Sequence, residues 1–140
     1  MAVSVSDLDV SVGWYEDVLG AAVTRRYEIA GHDASVAVMS LPGLSLELLR
    51  IAGATPRPTG PSPKEIASLY GFAHIAFMVD DCDAAVAAAR ERGVEVLWEA
   101  ETSPESGFRA AHVADPDGND IEFVAPLPVA DRALTVEEAR

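Results

Sequence analysis

A chain of 140 residues, 49% apolar and 24% charged, has the composition of one soluble globular domain or of two small halves sharing a core. Ten basic residues against 23 acidic ones leave a net charge of −13, and the single lysine, Lys64, offers no basic cluster for a phosphate backbone, which argues against nucleic acid as a partner. No apolar run approaches the ~18–20 residues of a membrane span, and Met1-Ala2-Val3-Ser4-Val5-Ser6-Asp7 lacks the marks of a secretory signal, so a cytoplasmic protein with no membrane partner is expected.

Taken in chain order, residues 2–5 are the first predicted strand. Leu8, Val12, Tyr15 and Leu19 then recur at helical spacing, with Asp7 or Ser6 as N-cap and Gly20 as a left-handed C-cap. Segments 21–28, 34–40 and 44–51 read as strands separated by turns at Gly31-His32-Asp33 and Leu41-Pro42-Gly43. A proline-rich linker follows, in which Ser62-Pro63-Lys64-Glu65 joins a capping box to a first-turn proline and predicts a short helix through about Leu69. The second half offers a strand at 74–79, a helix at 83–92, and strands at 94–100, 108–114 and 119–124. Beyond Pro126, Thr135-Val136-Glu137-Glu138 is another capping box, and this tail reads as a terminal helix or as a frayed end. The lone Cys82, flanked by Asp80, Asp81 and Asp83, reads as an inert helix-start residue.

The two halves are a duplication. Asp7 falls on Asp81 at an offset of 74, Gly20 on Gly93 at 73, and Gly43-Leu44-Ser45-Leu46-Glu47-Leu48 on Gly118-Asn119-Asp120-Ile121-Glu122-Phe123 at 75. The modules are about 1–51 and 73–125, joined by a linker at 52–72 and followed by a tail at 126–140.

Three stretches carry a family resemblance. They are Ser6-Asp7-Leu8 leading into Trp14-Tyr15-Glu16-Asp17-Val18-Leu19-Gly20, then His74-Ile75-Ala76-Phe77 with Val79-Asp80-Asp81, and Asp115-Pro116-Asp117-Gly118-Asn119-Asp120-Ile121-Glu122. With them the chain resembles the vicinal oxygen chelate superfamily over roughly residues 2–125, a group that includes glyoxalases, methylmalonyl-CoA epimerases, extradiol dioxygenases and bleomycin- or fosfomycin-resistance proteins. The resemblance implies an α+β fold, with two tandem βαβββ modules forming a cup-shaped, partly open eight-stranded barrel, and a homodimer. It also implies one divalent metal (Ni, Co, Mn, Fe or Zn) on the first and last strands of each half. By matching motif those ligands are Glu47, His74 and Glu122. The fourth is expected seven residues before Asp7, as His74 lies seven before Asp81, and that position falls just before Met1. Without this histidine metal affinity is expected to be weakened, and a dioxygenase, which needs two histidines and one carboxylate, fits least.

Glu47 and Glu122 are the expected catalytic carboxylates, although strand alternation alone would also let either point outward. His74 reads as a ligand, or as a satisfied structural histidine. His112 reads as lining the ligand pocket, as a replacement for the missing ligand, or as a plain strand histidine. His32, on a turn, is a candidate proton carrier near neutral pH. Trp98 and Phe108 are candidate walls for a flat ligand, and the Asp115–Asn119 turn is read as aiming Glu122. The leading expectation is therefore an enzyme of glyoxalase or epimerase type, a lyase or isomerase acting on a small molecule by metal-assisted proton transfer. Its rival is a metal-free protein, like bleomycin-resistance proteins, that simply holds a drug or metabolite.

Overall fold

The computed structural model describes residues 1–56, 62–128 and Asp131. It divides into two units, Met1–Thr59 and Gly60–Arg140. The first contains β1 (Ala2–Ser4), α1 (Leu8–Leu19), β2 (Ala22–Glu28), β3 (Ala34–Leu41) and β4 (Leu44–Ile51). The second contains α2 (Pro63–Ala67), β5 (Ile75–Met78), α3 (Cys82–Glu91), β6 (Val96–Ser103), β7 (Phe108–Ala114) and β8 (Asp120–Pro126). Each unit is a βαβββ module with one four-stranded mixed sheet, ordered β1-β4-β3-β2 and β5-β8-β7-β6, and neither sheet is a closed barrel.

Local chemistry explains why the two modules fold alike. Asp7 and Asp81, 74 apart, cap α1 and α3: Asp7 accepts from the backbone N–H groups of Asp9 and Val10 at 3.0 Å, and Asp81 from that of Ala84 at 3.0 Å. Gly20 ends α1 at φ 66°, a left-handed conformation that disfavours a Cβ. Each helix then covers one face of its own sheet. α1 packs on β3 and β4, burying Val12 and Tyr15 with Met39, Leu46 and Leu48. α3 packs on β6, β7 and β8, burying Cys82, Val86 and Ala89 with Val113, Ile121 and Phe123. Each such large apolar side chain contributes roughly 1.5–3 kcal/mol by leaving water. The Cys82 thiol is 3.6 Å from the Phe123 carbonyl oxygen, and burial, reinforced by the charges of Asp83 and Asp81, pushes its pKa up.

Most elements end within a residue or two of the sequence reading, and β6 and α2 show why some differ. β6 starts at Val96 rather than 94, because Gly93 reverses the chain at φ 75° and the Val94 N–H turns back to the Ala89 carbonyl at 3.1 Å. It extends to Ser103 because a tight turn follows, the Gly107 N–H donating to the Ser103 carbonyl at 3.0 Å. α2 stops at Ala67, short of Leu69, although its capping box between Ser62 and Glu65 forms as predicted. The capping box at Thr135 lies outside the described residues. No described helix is long and apolar enough to cross a membrane.

Candidate functional site

In β8 the alternation Asp120-Ile121-Glu122-Phe123 sends Ile121 and Phe123 under α3 and places Asp120 and Glu122 on the opposite face. The register then fixes their neighbours. Glu122 pairs with Ala76 of β5 on one side and His112 of β7 on the other, and His112 pairs in turn with Trp98 of β6. Paired residues share a face, so Trp98, His112 and Glu122 stand in a row across three strands. His74, two residues before Ala76, joins them from just before β5.

The side chains meet. The Glu122 carboxylate lies 3.2 Å from His74 Nε2 through Oε2 and 3.7 Å from His112 Nε2 through Oε1. The two imidazoles are edge to face with centroids 5.2 Å apart, and Trp98 lies 6.4 Å from His112. Behind His112, its Nδ1 is 2.8 Å from Asp120 Oδ1. Asp120 is 95% buried, since its exposure is 5%, and its Oδ2 has no hydrogen-bond partner among the described residues. Burial, the largest single influence on His112, opposes its protonation. The hydrogen bond that His112 donates to Asp120 and the charges of Asp120 and Glu122 together outweigh it, so the His112 pKa is raised.

The turn before β8 is held by Asp115. One carboxylate oxygen accepts from the backbone N–H of Asp117 at 3.0 Å and of Asn119 at 2.8 Å, and the other accepts from the Asn119 side chain at 2.8 Å. Gly118 completes the turn at φ 78°. A cleft of about 550 Å³ opens beside the histidines, walled by Lys64 and Ala67 of α2, His74, Trp98, Glu101 and His112. Trp98 is held there by its indole N–H, which donates to Glu101 at 3.1 Å.

The structure thus brings His74, Trp98, His112 and Glu122 together. Phe108 is half-buried at the start of β7, four residues before His112, and is not among the cleft walls. Glu47 and His32 belong to the other unit. Glu47 is half-buried in β4, paired with Ala2 and Val38 as Glu122 is with Ala76 and His112. His32 is exposed on the turn after β2, its N–H donating to the Ile29 carbonyl at 3.1 Å. Asp120 is the residue the sequence reading missed. Its signal was the same alternation used for Glu122, two positions earlier and level with His74 in parallel register.

One donor atom from each of His74, His112 and Asp120 lies within 4.8 Å of the others. Two imidazoles beside two carboxylates, one with an unsatisfied buried oxygen, fit a borderline divalent cation such as Zn, Ni or Co.

Comparison with known proteins places this fold. The architecture is shared with solved glyoxalase-type structures. The chain superposes on the glyoxalase family protein from Enterococcus faecalis with a TM-score of 0.74 at 23% identity, over 89% of this chain and 93% of that one. For the glyoxalase I of Leishmania major the TM-score is 0.65 at 29% identity, over 89% of this chain and 83% of that one. A family model of the Glyoxalase/Bleomycin resistance protein/Dioxygenase superfamily matches residues 1–123, and the chain belongs to that superfamily. Among relatives, it is 34% identical over 121 residues to the lactoylglutathione lyase of Haemophilus influenzae, covering 86% of this chain and 85% of that protein. It is 33% identical over 97 residues to the mitochondrial methylmalonyl-CoA epimerase of Mus musculus, covering 69% of this chain and 53% of that protein. The chain therefore spans about half the length of that epimerase.

Proposed function

We propose that this protein is an enzyme of glyoxalase or epimerase type that moves a proton at the carbon next to a carbonyl of a small-molecule thioester or hemithioacetal. The observation that carries the proposal is the Glu122 carboxylate, half-buried and in contact with two imidazoles beside a cleft. The relationship to a lactoylglutathione lyase and to methylmalonyl-CoA epimerases supports the same chemistry.

Glu122 and Glu47, equivalent in the two modules, are the carboxylates assigned to accept and return the proton. His74 and Glu122, in contact, are assigned to hold a divalent cation. When bound, that ion supplies Lewis-acid polarisation of the substrate oxygens and so acidifies the neighbouring C–H. Trp98, fixed through Glu101, gives the cleft one flat wall, and Lys64 brings a cation to a substrate's anionic group. His32 and Phe108 are retained as outer contacts to substrate. A homodimer belongs to this proposal, and the exposure of Leu69, Tyr70 and Phe72 supports it.

The rival, a protein that holds a ligand without turnover, draws on the same cleft and Trp98. Turnover separates the two. Purified protein supplied with divalent metal is assayed for lactoylglutathione formation and for methylmalonyl-CoA epimerisation. Activity in either assay that is lost in Glu122→Gln supports the enzyme. Tight ligand binding with no conversion of any carbonyl substrate supports the rival.

A further inference from the structure

We propose that the second unit alone forms the metal seat, with His74, His112 and Glu122 as ligands and Asp120 as the residue that positions His112. This deepens the reading of that face as a site of metal-assisted proton transfer and rests on it.

The repeat breaks at this face. Register makes Val38 of the first unit equivalent to His112, since Val38 pairs with Glu47 as His112 pairs with Glu122. Likewise Arg25, paired with Val38, is equivalent to Trp98, paired with His112. An apolar residue beside one glutamate has thus become an imidazole beside the other. Asp120 backs that imidazole from a position that the 75-residue offset matches to Ser45.

The geometry gives the change a purpose. Asp120 Oδ1, 2.8 Å from Nδ1, accepts its hydrogen and so fixes the tautomer that leaves Nε2 with its lone pair. That Nε2 and the Nε2 of His74 flank one carboxylate, at 3.7 and 3.2 Å from its two oxygens. Two imidazoles and one carboxylate form a ligand set with positions left for substrate oxygens. Charge points the same way. The buried Asp120 and the half-buried Glu122 bring two carboxylates to one face beside the imidazoles. A divalent cation neutralises them. Glu47, in the other unit, is not needed to complete this set.

The test is metal affinity rather than turnover. Protein stripped with a chelator is titrated with Zn(II) by calorimetry and with Co(II) by its visible absorption. His74→Ala and His112→Ala are expected to weaken binding by more than about 100-fold, beyond the ~10–100-fold expected of the positioning variant Asp120→Asn. Glu47→Gln should stay within about threefold of wild type, a small difference on an affinity scale where tenfold is 1.4 kcal/mol. Co(II) added to wild-type protein should also shift the imidazole resonances of both His74 and His112, a readout that needs no variant to fold. Wild-type affinity in His112→Gln together with loss in Glu47→Gln would overturn the seat, as would a His112 resonance untouched by Co(II). Metal bound at His112 without turnover of either substrate leaves the seat standing and removes the proposed reaction. Turnover in protein that binds no metal removes the seat and leaves the Glu122 proton transfer.

Discussion

Replacing Asp120 with asparagine keeps the shape of the side chain and one oxygen to face His112, yet removes the negative charge. In the native protein the Asp120 Oδ1 to His112 Nδ1 contact is 2.8 Å, and it raises the His112 pKa against the opposing pull of burial. A hydrogen bond to a charged group contributes about 1.5–3 kcal/mol and a neutral one about 0.5–1.5, so the substitution costs protonated His112 about 1–1.5 kcal/mol. His112 should therefore titrate at lower pH in Asp120→Asn. The sign carries into stability. A raised native pKa contributes stability that is fully present below the unfolded imidazole value of about 6.5 and is lost as pH rises through the native value. The stability advantage that protonated His112 gives the wild type over Asp120→Asn should therefore be largest below about pH 6.5 and shrink above it. Nitrogen-detected imidazole titrations on chelator-treated protein measure the shift. An unchanged His112 titration in Asp120→Asn would refute the assignment of Asp120 as its partner.

Three further outcomes follow from the fold. Leu48→Ala and Ile121→Ala each empty a fully buried position beneath a helix and should cost about 2–5 kcal/mol in urea unfolding; a loss under about 1 kcal/mol would contradict that packing. Asp81→Ala removes the cap of α3 and should cost about 1 kcal/mol by the same measurement, with Asp7→Ala matching it in α1 if the modules are built alike. Asp115→Ala breaks three hydrogen bonds in the turn before β8, so it should destabilise the protein by about 1–3 kcal/mol and change the chemical shifts of both His74 and His112. Shifts confined to the turn itself would show that Asp115 does not set the position of Glu122.

The fold was legible because its signals repeat. Asp7 and Asp81 begin equivalent helices, Gly20 and Gly93 close them, and Glu47 and Glu122 fall at equivalent places in β4 and β8. Each signal is local chemistry, a cap or a left-handed residue, so it can be read without knowledge of the tertiary structure. The ends of β6 were harder to read, since the tight return at Val94 depends on how α3 ends, and the irregular pairing around Trp98 depends on β7. Of the side chains that the structure brings together, His74 and Glu122 were singled out in the sequence by motif. Asp120 was hidden in a run that reads as a turn, Asp115-Pro116-Asp117-Gly118-Asn119-Asp120, where one more acidic residue looks like solvent chemistry. Only strand register shows that it is buried behind His112.

The most direct test of the central claim, proton transfer next to a carbonyl at Glu122, is deuterium incorporation followed by mass spectrometry. Metal-supplied wild-type protein and Glu122→Gln are incubated in D2O with methylmalonyl-CoA and, separately, with methylglyoxal and glutathione. Deuterium is expected at the carbon next to the thioester carbonyl, either of methylmalonyl-CoA or of the lactoylglutathione product, at a rate that falls on the order of 10²–10⁴-fold in Glu122→Gln. Incorporation at the same rate in both proteins, or in neither, would contradict it.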